Sequence, residues 1–152
     1  MKLLRSLLHG TLLLAVSVGF NLARAEGQPL DLSPYKGKVV MVDFWASWCP
    51  PCKNSFPWLN KMARDKAPQG LVVIGVNVDE NSADAKRFLA QIPAKFKIIY
   101  DPKGEHPSYY EIPGMPSTII FDRNGKKVHL HNGFKLTKVM QYEAALNQAL
   151  KQ

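Results

Sequence analysis

Cysteine is scarce in this chain: its 152 residues hold two, Cys49 and Cys52. None stands near residue 25, which excludes a bacterial lipoprotein anchor there, and no separate peroxidatic cysteine exists to support a peroxidase. Acids are also few, 12 against 20 lysines and arginines. That balance suits acidic partners or anionic surfaces, but no basic stripe interleaved with aromatics argues for nucleic acid. Repeats, low-complexity tracts and a second domain are missing, so the length implies one domain. Long apolar runs are lacking as well. The stretch near the amino terminus, counted from Leu7, includes His9 and Gly10 and is short for the ~20 residues of a membrane-spanning helix.

That terminus instead has a positive start at Lys2 and Arg5, an apolar segment from Leu12 to Phe20, and Ala23-Arg24-Ala25. The last three put small residues at the two positions a signal peptidase reads. Residues 1–25 are therefore expected to be a secretory signal peptide and residues 26–152 the mature domain. Cleavage would remove Lys2, Arg5 and Arg24 and none of the acids, leaving a milder positive charge. Export would place both cysteines in an oxidising compartment.

The cysteines stand in Trp48-Cys49-Pro50-Pro51-Cys52. Two intervening residues let a disulfide close across the first turn of a helix. Val39 to Trp45, branched and aromatic, reads as a buried strand just upstream. Downstream, Phe56, Leu59 and Met62 recur near helical spacing, with Pro57 expected to kink the helix. A strand entering Cys-x-x-Cys at a helix start is the context of a redox pair, and the helix dipole favours a thiolate at the first cysteine. A structural staple gains little from so short a loop.

The remaining elements alternate. Leu71 to Val78 reads as a strand, Asn81 or Ser82 can cap a helix through about Gln91, and Lys97 to Tyr100 is a short strand. Asp101 to Gly114 reads as a loop with one helical turn at Ser108 to Glu111. Ser117 to Phe121 and Lys127 to His131 flank Asp122-Arg123-Asn124-Gly125, a hairpin turn in which Asn-Gly tolerates positive φ. Thr137 is expected to cap a final helix ending at Leu150. The order gives an α/β fold, a small mixed sheet covered on both faces.

Several of these segments carry a resemblance. Tyr35-Lys36-Gly37-Lys38, Val42 to Lys53, Pro57, Gly114-Met115-Pro116-Ser117-Thr118 and Phe121 to Gly125 resemble, in order, the thioredoxin superfamily and within it the exported TlpA/ResA-type reductases. The resemblance implies a thioredoxin-like fold, a central mixed sheet flanked by helices, and a periplasmic thiol-disulfide oxidoreductase that reduces protein disulfides. It implies Cys49 as nucleophile, facing solvent at the helix tip, and Cys52 as resolving thiol. Asp43, six residues before Cys49, matches a buried acid that takes the Cys52 proton, and burial should raise its pKa. Thioredoxins set a lysine opposite that acid, where this chain has Gly75. Pro116 matches the cis-proline, presenting the Met115 backbone so that a substrate strand can pair beside the disulfide.

Trp45 is expected in the core, and Trp48 on the docking surface with Pro50, Pro51, Met115 and Pro116. The activity implied needs no cofactor and no metal. Its partners would be protein disulfides and a membrane electron donor of DsbD type, with the protein itself a monomer. Two features depart from the TlpA/ResA pattern: Ser55 stands where an acid often follows the motif, and the lead-in before Tyr35 is short. A disulfide-forming oxidase is an alternative, although Cys52 to Pro116 leaves little room for the helical insertion of DsbA-like oxidases. A metallochaperone is another, with His129 and His131 on one face of a strand completing a set with Cys49 and Cys52. His106 is expected at the surface.

Overall fold

The computed structural model describes residues 27–152, so the expected signal peptide lies outside the described residues. Its five-stranded sheet has the order β3-β2-β1-β4-β5. β1 (Val39–Trp45) lies at the centre, parallel to β2 (Leu71–Asn77), which is parallel to β3 (Lys97–Tyr100). On its other side β1 is antiparallel to β4 (Ser117–Phe121), and β4 is antiparallel to β5 (Lys127–Asn132). Three parallel strands need crossovers, which α1 (Pro50–Lys66) and α2 (Ser82–Gln91) supply. A short α3 (Glu105–Tyr109) precedes the hairpin, and α4 (Val139–Leu150) closes the chain.

Position in the sheet explains composition. β1 and β4 have neighbours on both edges and covered faces, and every one of their residues is buried. That is why β1 reads as a continuous apolar run broken only by Asp43. β3 and β5, at the edges, are largely exposed or half-buried. Val39, Met41 and Trp45 face α1, α2 and α4 in a core with Phe56, Leu59, Phe88 and Leu146. Val40, Val42 and Phe44 point the other way, joining Leu30, Ile74, Val76, Ile119 and Phe121 under Tyr35, Tyr110 and Ile112.

The element boundaries follow local chemistry. Asn81 caps α2, its side chain accepting from the Ala83 amide at 2.9 Å. In the β4–β5 turn, Asp122 accepts from the Asn124 and Lys126 amides, and Gly125 takes φ +78°. Pro57 lies inside α1. Far from the cysteines, the Arg123 guanidinium donates to the carbonyls of Gly37, Gln69 and Leu150, joining four chain segments.

Two expectations need correction. The helical turn in the 101–114 segment starts earlier, at Glu105, because Asp101 accepts from the Glu105 and His106 amides and fixes the start there. His106 lies at the surface, partly covered, with its Nδ1 2.8 Å from the Gln28 carbonyl oxygen. Thr137 does not cap α4. A 3-10 turn, Leu136–Lys138, leads straight into α4, and the cap position carries no side-chain bond.

Candidate active site

The candidate active-site turn lies where β1 runs out into α1. Cys49 occupies the helix cap in an extended conformation, and Pro50 and Pro51 fill the first two helical positions, where the missing amide hydrogens cost nothing to the helix. The Cys52 amide donates back to the Cys49 carbonyl at 3.1 Å. The two residues are joined as a disulfide, with Cα atoms 5.4 Å apart. Ser55, where an acid is common in the TlpA/ResA pattern, is buried and donates its hydroxyl to the Cys52 carbonyl at 3.0 Å.

Two walls hold this turn. On one side the buried Asp79 carboxylate accepts from the Ser47 amide and hydroxyl and from the Asn77 side-chain amide. This clamps the residues that precede Trp48 to the end of β2. On the other side the Met115–Pro116 bond is cis, as the resemblance implied. Its loop is tied by the Ser117 hydroxyl, which donates to the Gly114 carbonyl at 2.7 Å, and by the Gly133 amide, which donates to the Pro116 carbonyl at 2.7 Å. The Met115 amide and carbonyl have no hydrogen-bond partner among the described residues.

Exposure sorts the expected contact residues. Trp48 is 68% exposed and Pro50 is exposed, Pro51 and Met115 are half-buried, and Pro116 is buried. Trp45 is wholly buried, between Phe56 and Phe88. Cys49 departs from expectation: it is only 3% exposed and belongs to the same buried cluster as Cys52. The helix tip does not hold it clear of the fold, because the cap position is packed from below by that core.

Asp43 lies in β1 on the cysteine side of the sheet, 1% exposed, and its backbone is in register with Gly75 on β2 and Thr118 on β4. Desolvation pushes its carboxyl up to about 7, while the Thr118 hydroxyl, donating to Oδ1 at 2.8 Å, pulls in the opposite direction. Oδ2 has no partner. Near neutral pH such a carboxyl is close to half-ionised, the condition in which it can both take and release a proton. Gly75 faces it as expected. A Cβ there would lie 2.9 Å from Phe96 Cε2, 3.0 Å from Ile98 Cδ1 and 3.1 Å from Trp45 Nε1.

The metal alternative loses its geometry. His129 and His131 do share a face, ring centroids 5.9 Å apart, but His131 stacks on Tyr142 at 4.2 Å. Among the described residues no three His, Cys, Asp or Glu side chains are brought together as a metal site. Asp79, Ser117 and Thr118 were missed from sequence. The signals available were an acid just beyond the end of a parallel strand and a hydroxyl pair directly after the proline.

Among the described residues no helix is long and apolar enough to cross a membrane. The chain is 31% identical over 103 residues to the thiol-disulfide oxidoreductase ResA of Bacillus thuringiensis, covering 68% of this chain and 60% of that protein. With ResA of Geobacillus kaustophilus it is 31% identical over 124 residues, 78% of this chain and 71% of the relative. The crystal structure of a provisionally named thiol:disulfide interchange protein DsbE from Chlorobium tepidum is similar at 45% identity, with a TM-score of 0.77 over 78% of this chain and 84% of that one. Residues 11–146 match the family described as Redoxin, and with that match spanning nearly all of the sequence the chain belongs to the Redoxin family.

Proposed function

We propose that this protein is an exported thiol-disulfide oxidoreductase that reduces protein disulfides through Cys49 and Cys52. The observation that carries the reading is the Cys49–Cys52 disulfide at the start of α1, with a buried acid on the same face of the sheet and the cis Met115–Pro116 loop beside it. A substrate strand would pair with the open Met115 backbone, beside exposed Trp48.

In the reduced protein the Cys49 thiolate attacks one sulfur of a client disulfide. A Cys49–client bond forms, the client S–S bond breaks, and the second client sulfur leaves as a thiolate. Cys52 then gives its proton to Asp43 and its sulfur attacks Cys49. The mixed disulfide breaks, the first client sulfur leaves as a thiolate, and the Cys49–Cys52 disulfide remains. Two electrons have passed to the client. Because 3% exposure leaves little of Cys49 open, the client must present its disulfide as an extended, accessible segment.

The basic terminus and apolar segment within residues 1–25 support export to the periplasm. In that oxidising compartment the cysteine pair needs re-reduction, for which a membrane donor of DsbD type is the fitting partner. The protein acts as a monomer in this scheme. The reduction potential, measured by equilibrium with glutathione or dithiothreitol, tests the direction. A value of ~−270 to −200 mV supports the reductase, and one near ~−120 mV would make the protein an oxidase.

A further inference from the structure

Thr118 occupies a place that the motif alone does not mark. It lies on β4 with Asp43 opposite it on one side and His131 on the other, in the row Gly75–Asp43–Thr118–His131 across four strands. Gly75 offers no side chain. The nitrogens of His131 have no hydrogen-bond partner. Thr118 is therefore the one member of the row that bonds Asp43, by donating its hydroxyl to Oδ1 at 2.8 Å.

The other groups on this face sharpen the point. Cys49 and Cys52 come from α1, His131 from β5 and Tyr142 from α4, and among the described residues no lysine or arginine is buried. Glu143 of α4 accepts from the Trp58 indole instead. Among the described residues Asp43 thus has no cationic partner to favour its ionised form: burial and the Thr118 hydroxyl are what act on it. What remains is a single hydrogen bond, and a donor to a carboxylate favours the charged state.

We infer that Thr118 is a positioning residue for the proposed reduction: its hydroxyl fixes the Asp43 carboxylate through Oδ1, leaves Oδ2 to accept the Cys52 proton, and keeps that carboxylate able to ionise at neutral pH. The inference rests on Asp43 acting as the proton acceptor. In the step concerned the Cys52 S–H bond breaks and its proton goes to Oδ2. The Cys52 sulfur bonds Cys49, and the departing client sulfur carries away the electron pair of the broken mixed disulfide. Thr118 itself gains and loses nothing. It also sits two residues after Pro116, so one strand carries both the docking loop and the group that sets the acid.

The test uses the whole protein. Thr118→Val removes the hydroxyl and keeps the branched shape, while Thr118→Ser keeps the hydroxyl. Thr118→Ala repeats the test if the valine variant does not fold. The first readout is the pH titration of the Asp43 carboxyl carbon by NMR. The second is the pH profile of single-turnover thiol release from a saturating aromatic disulfide probe. The valine variant is expected to raise the carboxyl midpoint by about one pH unit, the size of one charge-assisted hydrogen bond, and to move the release profile with it. The serine variant should keep both near the wild-type values. An unmoved carboxyl in the valine variant, or an equal shift in the serine variant, would overturn the inference. A carboxyl that moves while the release profile stays fixed would overturn Asp43 as acceptor, and with it the place of Thr118 in the reaction.

Discussion

The two faces of the sheet are built from alternate residues of the same strands, yet they differ in kind. On one, Val40, Val42, Phe44, Ile74, Val76, Ile119 and Phe121 form an apolar core. On the other, Val39, Met41 and Trp45 share the space with Asp43, Thr118, His131 and the disulfide. Every buried side-chain polar atom without a partner among the described residues, Asp43 Oδ2, Trp45 Nε1 and both His131 nitrogens, lies on this second face. Unpaired buried polar groups cost stability, so one face stores that cost and the other offsets it. The two-residue period of a strand keeps them apart, and a one-residue slip of β1 would exchange them.

The comparison is tested most severely at the cysteines. Cys49→Ser should abolish turnover, whereas Cys52→Ser should accumulate mixed disulfides visible on non-reducing gels, both with the apolar face intact. Normal turnover by either variant would reject the mechanism. The converse lesion is Phe44→Ala, which empties part of the opposite core. A stability loss of about 3–5 kcal/mol in urea is expected, with the reduction potential unchanged. A shifted potential would show that the two faces are not separable.

Smaller effects come from pH. Burial raises Asp43 from 3.8 to about 7. Between those values the folded chain holds a proton that the unfolded chain has released, so stability falls as pH rises. Burial, with His129 nearby, lowers His131 from 6.5 to about 4. In that window the unfolded chain holds the extra proton, so stability rises with pH. From about pH 4 to about pH 6.5 the two slopes cancel. Asp43→Asn should therefore expose a rise, and His131→Phe a fall, of about 1.4 kcal/mol per pH unit. Urea midpoints across this window check it, and parallel profiles for all three proteins would refute the pairing.

Much of the fold was legible because its punctuation is local. Asn81 caps its own helix, the Asn124–Gly125 turn closes its own hairpin, and β1 and β4 announce their central positions by apolar runs. α3 was misplaced because its start is set by Asp101, separated from it by Pro102, Lys103 and Gly104 in a segment that otherwise reads as loop. Cys49, Cys52, Asp43 and Pro116 could be named as candidates because each stands in a short local word that carries the resemblance. Thr118 and Asp79 bond partners that lie 75 and 32 positions away in the chain, and only the order of strands brings them into place. The closure of Cys49 was equally hidden, since it depends on what packs beneath the turn.

Gly75 also bears on how such a site can change over generations. A lysine opposite the buried acid, as in thioredoxins, would give Asp43 a fixed counter-charge. Here any Cβ at that position meets Phe96, Ile98 and the Trp45 indole at once. Replacing the glycine alone would force these side chains to shift before the new charge could help. A charged form of this site therefore asks for room made at Phe96, Ile98 or Trp45 as well as for the new side chain, so the two forms differ by more than one residue.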